Sequence, residues 1–165
     1  MNGFNGLKSD KFVRSAPYLA ADYADSLDFG RGTALPWPVK SEGLTHTIIG
    51  AAMEVHNSLG PGFLESLYRN ALLHELRLRG VQTKAELEVQ VAYKDLVIGR
   101  HRLDLVVENE VIVELKAIAG IAGIHIAQTL SYMKAMSAEV GLIVNFGEDS
   151  LSWKRLIKKA RIPRI

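Results

Sequence analysis

An α/β domain, a mixed β-sheet flanked by helices in two or three layers, is what this sequence predicts, and three observations carry the expectation. Between residues 44 and 79 apolar residues recur twice at helical spacing. Strand-like runs follow at 87–93, 101–107 and 111–116. A helical stretch at 123–136 then leads to an apolar run at 140–146, the order of a strand, a right-handed crossover helix and a parallel strand.

Each element has a local cause. Leu44, Ile48, Ala52, Val55 and Leu59 share one helical face, and Gly60-Pro61 follows as a glycine C-cap and a residue that cannot continue the helix. The second helix, Phe63 to Arg79, carries Leu64, Leu67, Tyr68, Ala71, Leu72 and Leu76 as its stripe and stops at Gly80. Leu87, Val89, Val91 and Tyr93 alternate with polar or small residues, as a half-buried strand does. Lys94 to Gly99 reads as a turn region. His101–Val107 and Val111–Lys116, separated by Glu108-Asn109-Glu110, read as a hairpin. The helix at Gly123–Met136 precedes a buried strand at Val140–Phe146, and Leu151 to Ile165 is a basic end. Met1 to Gly43 sustains neither period and reads as a poorly structured extension, with a short helix conceivable around Leu19 to Leu27; residues 44–165 form the domain.

Composition narrows the function. The 165 residues are 48% hydrophobic and 23% charged, enough apolar mass for one packed core. Twenty Lys and Arg against eighteen Asp and Glu give a net charge of +2, so any electrostatic footprint is local. The absence of cysteine excludes disulfides, thiol nucleophiles, iron–sulfur clusters and Cys-zinc sites. There is no basic-then-apolar leader pattern at Met1–Asp10, and the richest apolar stretch, Ala117–Ala127, falls short of the ~20 residues that span a bilayer. A cytoplasmic protein with no membrane partner is expected. P-loop, dinucleotide, Gly-x-Ser-x-Gly and His-Glu-x-x-His motifs are absent.

Polar residues interrupt the hairpin where a purely structural sheet would not place them. Asp104 sits between Leu103 and Leu105, and Glu114 and Lys116, two apart, share one face of their strand. If Val107 pairs with Val111, Asp104 stands opposite Glu114. Two carboxylates side by side on a central sheet repel unless a cation joins them, and oxygen-only ligands favour Mg²⁺ or Mn²⁺. Lys116 would then orient an attacking water, which is hydrolytic nuclease chemistry. The competing reading is a solvated sheet face with an ordinary cross-strand pair.

Glu65 and Tyr68 share a helix face: an acid facing the sheet or one favoured by the helix dipole, and a tyrosine that reaches substrate or packs in the core. Gln128 and Tyr132 share another, where Gln128 could hold substrate or water. His125, one turn earlier, is left outside the set. At the basic end, Lys154, Arg155 and Lys158 beside Trp153 read as phosphate contacts or as a solvated tail.

Gly62-x-x-Glu65-x-x-Tyr68, Arg102-Leu-Asp104, Glu114-Leu-Lys116 and Gln128-x-x-x-Tyr132, in that order, resemble the GxxExxY family, a branch of the PD-(D/E)XK nuclease superfamily, over about Leu44 to Phe146. The resemblance implies a restriction-endonuclease-like core, with Asp104 and Glu114 as ligands of Mg²⁺ or Mn²⁺ and Lys116 beside the attacking water. It also implies Glu65 as the acid from the early helix, joining the metal site, and Gln128 with Tyr132 as the motif of the later helix.

The expected function is therefore a metal-dependent nuclease acting on nucleic acid, DNA foremost. The alternatives are an inactive module of the same fold that binds nucleic acid or a protein, and a hydrolase of another phosphate ester. A homodimer is a further expectation, because cutting both strands of a duplex calls for two sites.

Overall fold

The computed structural model describes residues 41–158. The extension assigned to residues 1–43 lies almost wholly outside them, as does the end of the basic tail with Arg161 and Arg164. Eight elements follow: α1 (Glu42–Leu59), α2 (Glu65–Leu78), β1 (Thr83–Tyr93), β2 (Leu96–Val107), β3 (Val111–Lys116), α3 (Gly123–Met136), β4 (Val140–Asn145) and β5 (Ser152–Ile157).

The five strands lie side by side in chain order. All neighbours are antiparallel except β3 and β4, which run parallel and are joined through α3. This is the mixed sheet expected, in three layers: α1 and α2 cover one face, where Ile48, Val55, Leu72 and Leu76 meet Leu105, Val113, Leu142 and Phe146. On the other face α3 brings Tyr132 and Met133 onto Leu103, Ile112, Ile143 and Leu156. Helix α1 ends as expected at Gly60, with φ 68 and its N–H bonded to the His56 carbonyl.

Gly141 lets α3 approach closely, since a Cβ there would stand 2.7 Å from the Met133 sulfur. Gly147 is more constrained, because its Cβ would lie 2.3 Å from the backbone of Ile118. Buried Asn145 ties the same crossing together, accepting from the N–H of Ile118 and donating to its carbonyl.

Three expectations need correction. Strand β1 begins at Thr83, and β2 begins at Leu96, so Leu96–Gly99 belong to a strand and the turn shrinks to Lys94-Asp95. Residues from Tyr93 to Arg100 are exposed, so no burial pattern marks this arm; backbone pairing builds it. The basic end contains the edge strand β5, whose lysine and arginine are residues that edge strands tolerate well. Finally, the ladder from Val107↔Val111 stops at Leu105↔Val113, one step before Asp104 would meet Glu114.

Candidate active site where β2 parts from its neighbours

Asp104 is left out of the sheet on both sides. The β1–β2 ladder pairs Ala85 with Leu105 and Leu87 with Leu103, skipping Glu86 and Asp104, and Glu86 has φ 54. Residues two apart on a strand normally share a face. Here Leu105 packs under α1 and α2 but Leu103 under α3, and Ala85 and Leu87 divide the same way. The hairpin thus turns over at Glu86 and Asp104. Freed from the ladder, Asp104 accepts the Leu115 N–H through Oδ2 at 2.9 Å, replacing the backbone acceptor that β3 loses there. Its Oδ1 lies 3.4 Å from Arg69 Nη1.

Glu114, on the next strand, is 4% exposed. Its Oε1 accepts from Lys116 Nζ at 2.8 Å, while Oε2 is buried without a hydrogen-bond partner. Burial pushes the Glu114 carboxyl above the ordinary carboxylate range; the Lys116 hydrogen bond opposes that, and Asp104 and Glu65 add repulsion. Glu65, first residue of α2, is raised as well, by burial first, with Lys116 and Arg69 drawing it down and Asp104 pushing it up. One helix and two strands thus bring Glu65, Asp104, Glu114 and Lys116 into one electrostatic neighbourhood.

Helix α3 supplies the opposite wall. Gln128 Nε2 donates to the Tyr132 hydroxyl, which is also 3.2 Å from His101 Nδ1, and the His101 and Tyr132 rings stack at 3.9 Å. Burial drives the Tyr132 phenol up to about 12, opposed by the Gln128 hydrogen bond and aided by Glu114 and Asp104. Burial also lowers His101, with Asp104 opposing. His125 caps the helix start by accepting the Ala122 N–H.

Other expected residues lie elsewhere. Tyr68 is fully buried, stacked on Phe146 at 4.6 Å; its hydroxyl donates to the Gly60 carbonyl and accepts the Phe63 N–H, so it holds the Gly60–Phe63 turn and is shielded from solvent. Lys154, Arg155 and Lys158 do not form one phosphate-tracking surface. Lys154 pairs with Ile143 on the α3 face, in the cross-strand row of Glu114. Arg155 pairs with Leu142 on the opposite face, and Lys158 bonds through its N–H to the Glu139 carbonyl, at the far end of β4 from the acids. Adjacent strand residues point to opposite faces, which divides the cluster. Among the described residues no three His, Asp or Glu side chains stand close enough together to hold a metal ion.

Sequence reasoning missed Arg69, Glu86, His101 and Asn145. The Arg102-Leu-Asp104 motif was visible, but nothing local tied Asp104 to an arginine 35 positions earlier. A groove of about 410 Å³ lined by Arg77, Gln82, Lys84 and Asn109 lies toward the β2–β3 turn, away from the acids. Among the described residues no helix is long and apolar enough to cross a membrane.

No curated protein matches this chain significantly. Three chains of known structure do match, among them one solved as the crystal structure of SSO0001, with 16% identity and a TM-score of 0.48 over 74% of this chain. This chain spans 61% of that protein's length. The family model described as the PD-(D/E)XK nuclease superfamily matches residues 42–156, from the first turn of α1 into β5 and across Glu65, Asp104, Glu114, Lys116, Gln128 and Tyr132. With its five-stranded mixed sheet and flanking helices, the chain belongs to the PD-(D/E)XK nuclease superfamily.

Proposed function

We propose that this protein is a Mg²⁺- or Mn²⁺-dependent nuclease of the GxxExxY branch, hydrolysing phosphodiester bonds, in DNA foremost, with water as the nucleophile. One observation carries the reading: Asp104, Glu114 and Lys116 converge where β2 leaves the ladder, and the buried Oε2 of Glu114 has no hydrogen-bond partner. A buried carboxylate oxygen without a donor is costly unless a cation completes it.

The donor set fits a hard ion. Asp104 and Glu114 offer only oxygen, and two carboxylates suit Mg²⁺, which keeps several waters and shares its remaining positions with substrate phosphate. When bound, the ion would stabilise charge on the phosphoryl oxygens and lower the pKa of a water. The chain's own residues do the rest. Lys116, held by Glu114, presents an ammonium that orients the attacking water and stabilises the negative charge developing at phosphorus. Glu65, which feels both Lys116 and Asp104, is assigned as a hydrogen-bond acceptor for that water. Tyr132 stays a neutral phenol at physiological pH; with Gln128 it forms a hydrogen-bonding wall for the substrate backbone. Lys154, in the same row and on the same face as Glu114, extends the cationic surface toward β5. The reading places the protein in the cytoplasm with nucleic acid as partner, and a homodimer if both strands of a duplex are cut together.

The test is cleavage of labelled single-stranded DNA, double-stranded DNA and RNA in Mg²⁺, Mn²⁺ or EDTA, comparing wild type with Glu114→Ala. We expect metal-dependent cleavage of DNA that falls about a thousandfold in the variant, with an unchanged circular dichroism spectrum. Equal cleavage by the variant would overturn the assigned site. A folded protein that cleaves nothing and binds no ion would instead be a non-catalytic module of this fold.

A further inference from the structure

Arg69 belongs to no motif in the sequence, yet it reaches from α2 to the sheet at the point where Asp104 leaves the ladder. Its side chain is 18% exposed. Nη1 lies 3.4 Å from Asp104 Oδ1 and Nη2 lies 3.1 Å from Glu86 Oε1, while Nε is buried without a partner. Charge-assisted bonds between guanidinium and carboxylate usually close to about 2.7–2.9 Å. The contact with Asp104 is therefore long, and the guanidinium sits nearer to Glu86.

The two carboxylates facing the ion position are unequally prepared. Glu114 offers a buried oxygen with no hydrogen-bond partner. Asp104 accepts the Leu115 N–H through Oδ2, so Oδ1 is the oxygen with no backbone donor on it, and Oδ1 is the one that Arg69 faces. Glu86 is the second acid within the guanidinium's reach. Its side chain is 44% exposed, and it is 3.4 Å from Arg102 as well.

We propose that Arg69 is an internal counter-ion for Asp104 that gates metal loading: a divalent cation binds Oδ1 as the guanidinium withdraws onto Glu86. Arg69 is thus a positioning residue, and the proposal rests on the metal-dependent reading above. An ion entering this site takes Asp104 over from the guanidinium, which keeps a carboxylate partner in Glu86, whereas without an ion Arg69 remains the counter-charge of Asp104.

The test is calorimetric titration of the full chain with Mn²⁺, in the absence of nucleic acid, for wild type, Arg69→Gln and Arg102→Gln. Arg69→Gln should tighten Mn²⁺ binding about tenfold, because it removes the cation that competes for Oδ1. Arg102→Gln removes the same charge from the same Glu86 without touching Asp104, and should change binding by less than about threefold. Adding Asp104→Asn to Arg69→Gln should abolish the gain. Unchanged or weaker binding in Arg69→Gln overturns the gate, as does equal tightening in Arg102→Gln, which would mean only a general field. If neither wild type nor Arg69→Gln binds Mn²⁺, the metal reading falls and the gate with it; if both bind equally, the gate alone falls. Should Arg69→Gln fail to fold, Glu86→Gln tests the gate from the other side. With its second acid gone, the guanidinium stays on Asp104 and Mn²⁺ binding weakens about threefold or more; binding no weaker than in a Glu88→Gln control, which removes an exposed β1 acid that pairs with Arg100 instead, overturns the proposal.

Discussion

On the face of the sheet covered by α1 and α2, Tyr68 has both hydrogen-bonding capacities of its hydroxyl engaged by the Gly60–Phe63 turn and its ring stacked on Phe146. On the face covered by α3, Tyr132 is nearly as buried, but its hydroxyl joins Gln128 and His101 and feels the charges of Glu114 and Asp104. The two tyrosines sit in the same fold at similar burial and do different work. The first face is continuous apolar packing from Ile48 to Phe146; the second ends at the acids. The apolar packing from Ile48 to Phe146 is therefore set apart from the proposed site, which gathers Glu65 from the start of α2, the acids of the sheet and the Tyr132 wall of α3.

Substitutions can break that division. The largest effect on folding is expected from Leu72→Ala on the α1–α2 face, where a fully buried side chain is lost; urea denaturation should report a destabilisation of about 3 kcal/mol, with activity per folded molecule unchanged. A fall in specific activity without a fall in stability would mean that the two faces are not separable.

The tyrosine pair sharpens the contrast. Tyr68→Phe should cost about 2 kcal/mol by leaving the Phe63 N–H and Gly60 carbonyl unpaired, and should leave kcat unchanged. Tyr132→Phe should cost about 1 kcal/mol or less and lower kcat about tenfold. Reversed effects would exchange the roles assigned to the two faces.

The smallest effect is pH-dependent and concerns Glu114 in EDTA. Its carboxyl is raised in the folded protein, so the native state holds that proton more tightly than the unfolded chain does. Glu114 therefore loses stability for the fold as pH rises from the ordinary carboxylate value through the raised one. Melting temperatures in EDTA should match for wild type and Glu114→Gln near pH 4, and the variant should melt higher at pH 8. A gap that is flat or of opposite sign would mean that the Lys116 contact outweighs desolvation.

Helices α1, α2 and α3, strands β3 and β4, and the Glu114-x-Lys116 pair are all legible from period and spacing alone, because an apolar stripe or an apolar run reports what the local backbone must bury. The outer hairpin arm was harder to read, since Leu96–Gly99 pair through backbone bonds while their side chains remain exposed. β5 hid behind its lysines and arginine, which suit an edge but resemble a tail. Asp104 stands out in the sequence as a polar intruder, but its place outside the ladder is not legible there, because the skipped pair at Glu86 depends on how two strands turn together.

By itself, the sequence determined the three helices and the central strands, that the sheet is mixed, and which acids and lysine interrupt its apolar runs. These follow from the alternation and periodicity of side chains along a single backbone. Only the tertiary structure decided which face each side of the sheet shows to which helix. It also decided that Tyr68 is sealed while Tyr132 meets the acids, that Lys154 and Arg155 point apart, and that Arg69 stands over Asp104. Those outcomes depend on contacts between residues far apart in the chain, and a periodic pattern says that a face is covered without saying by what.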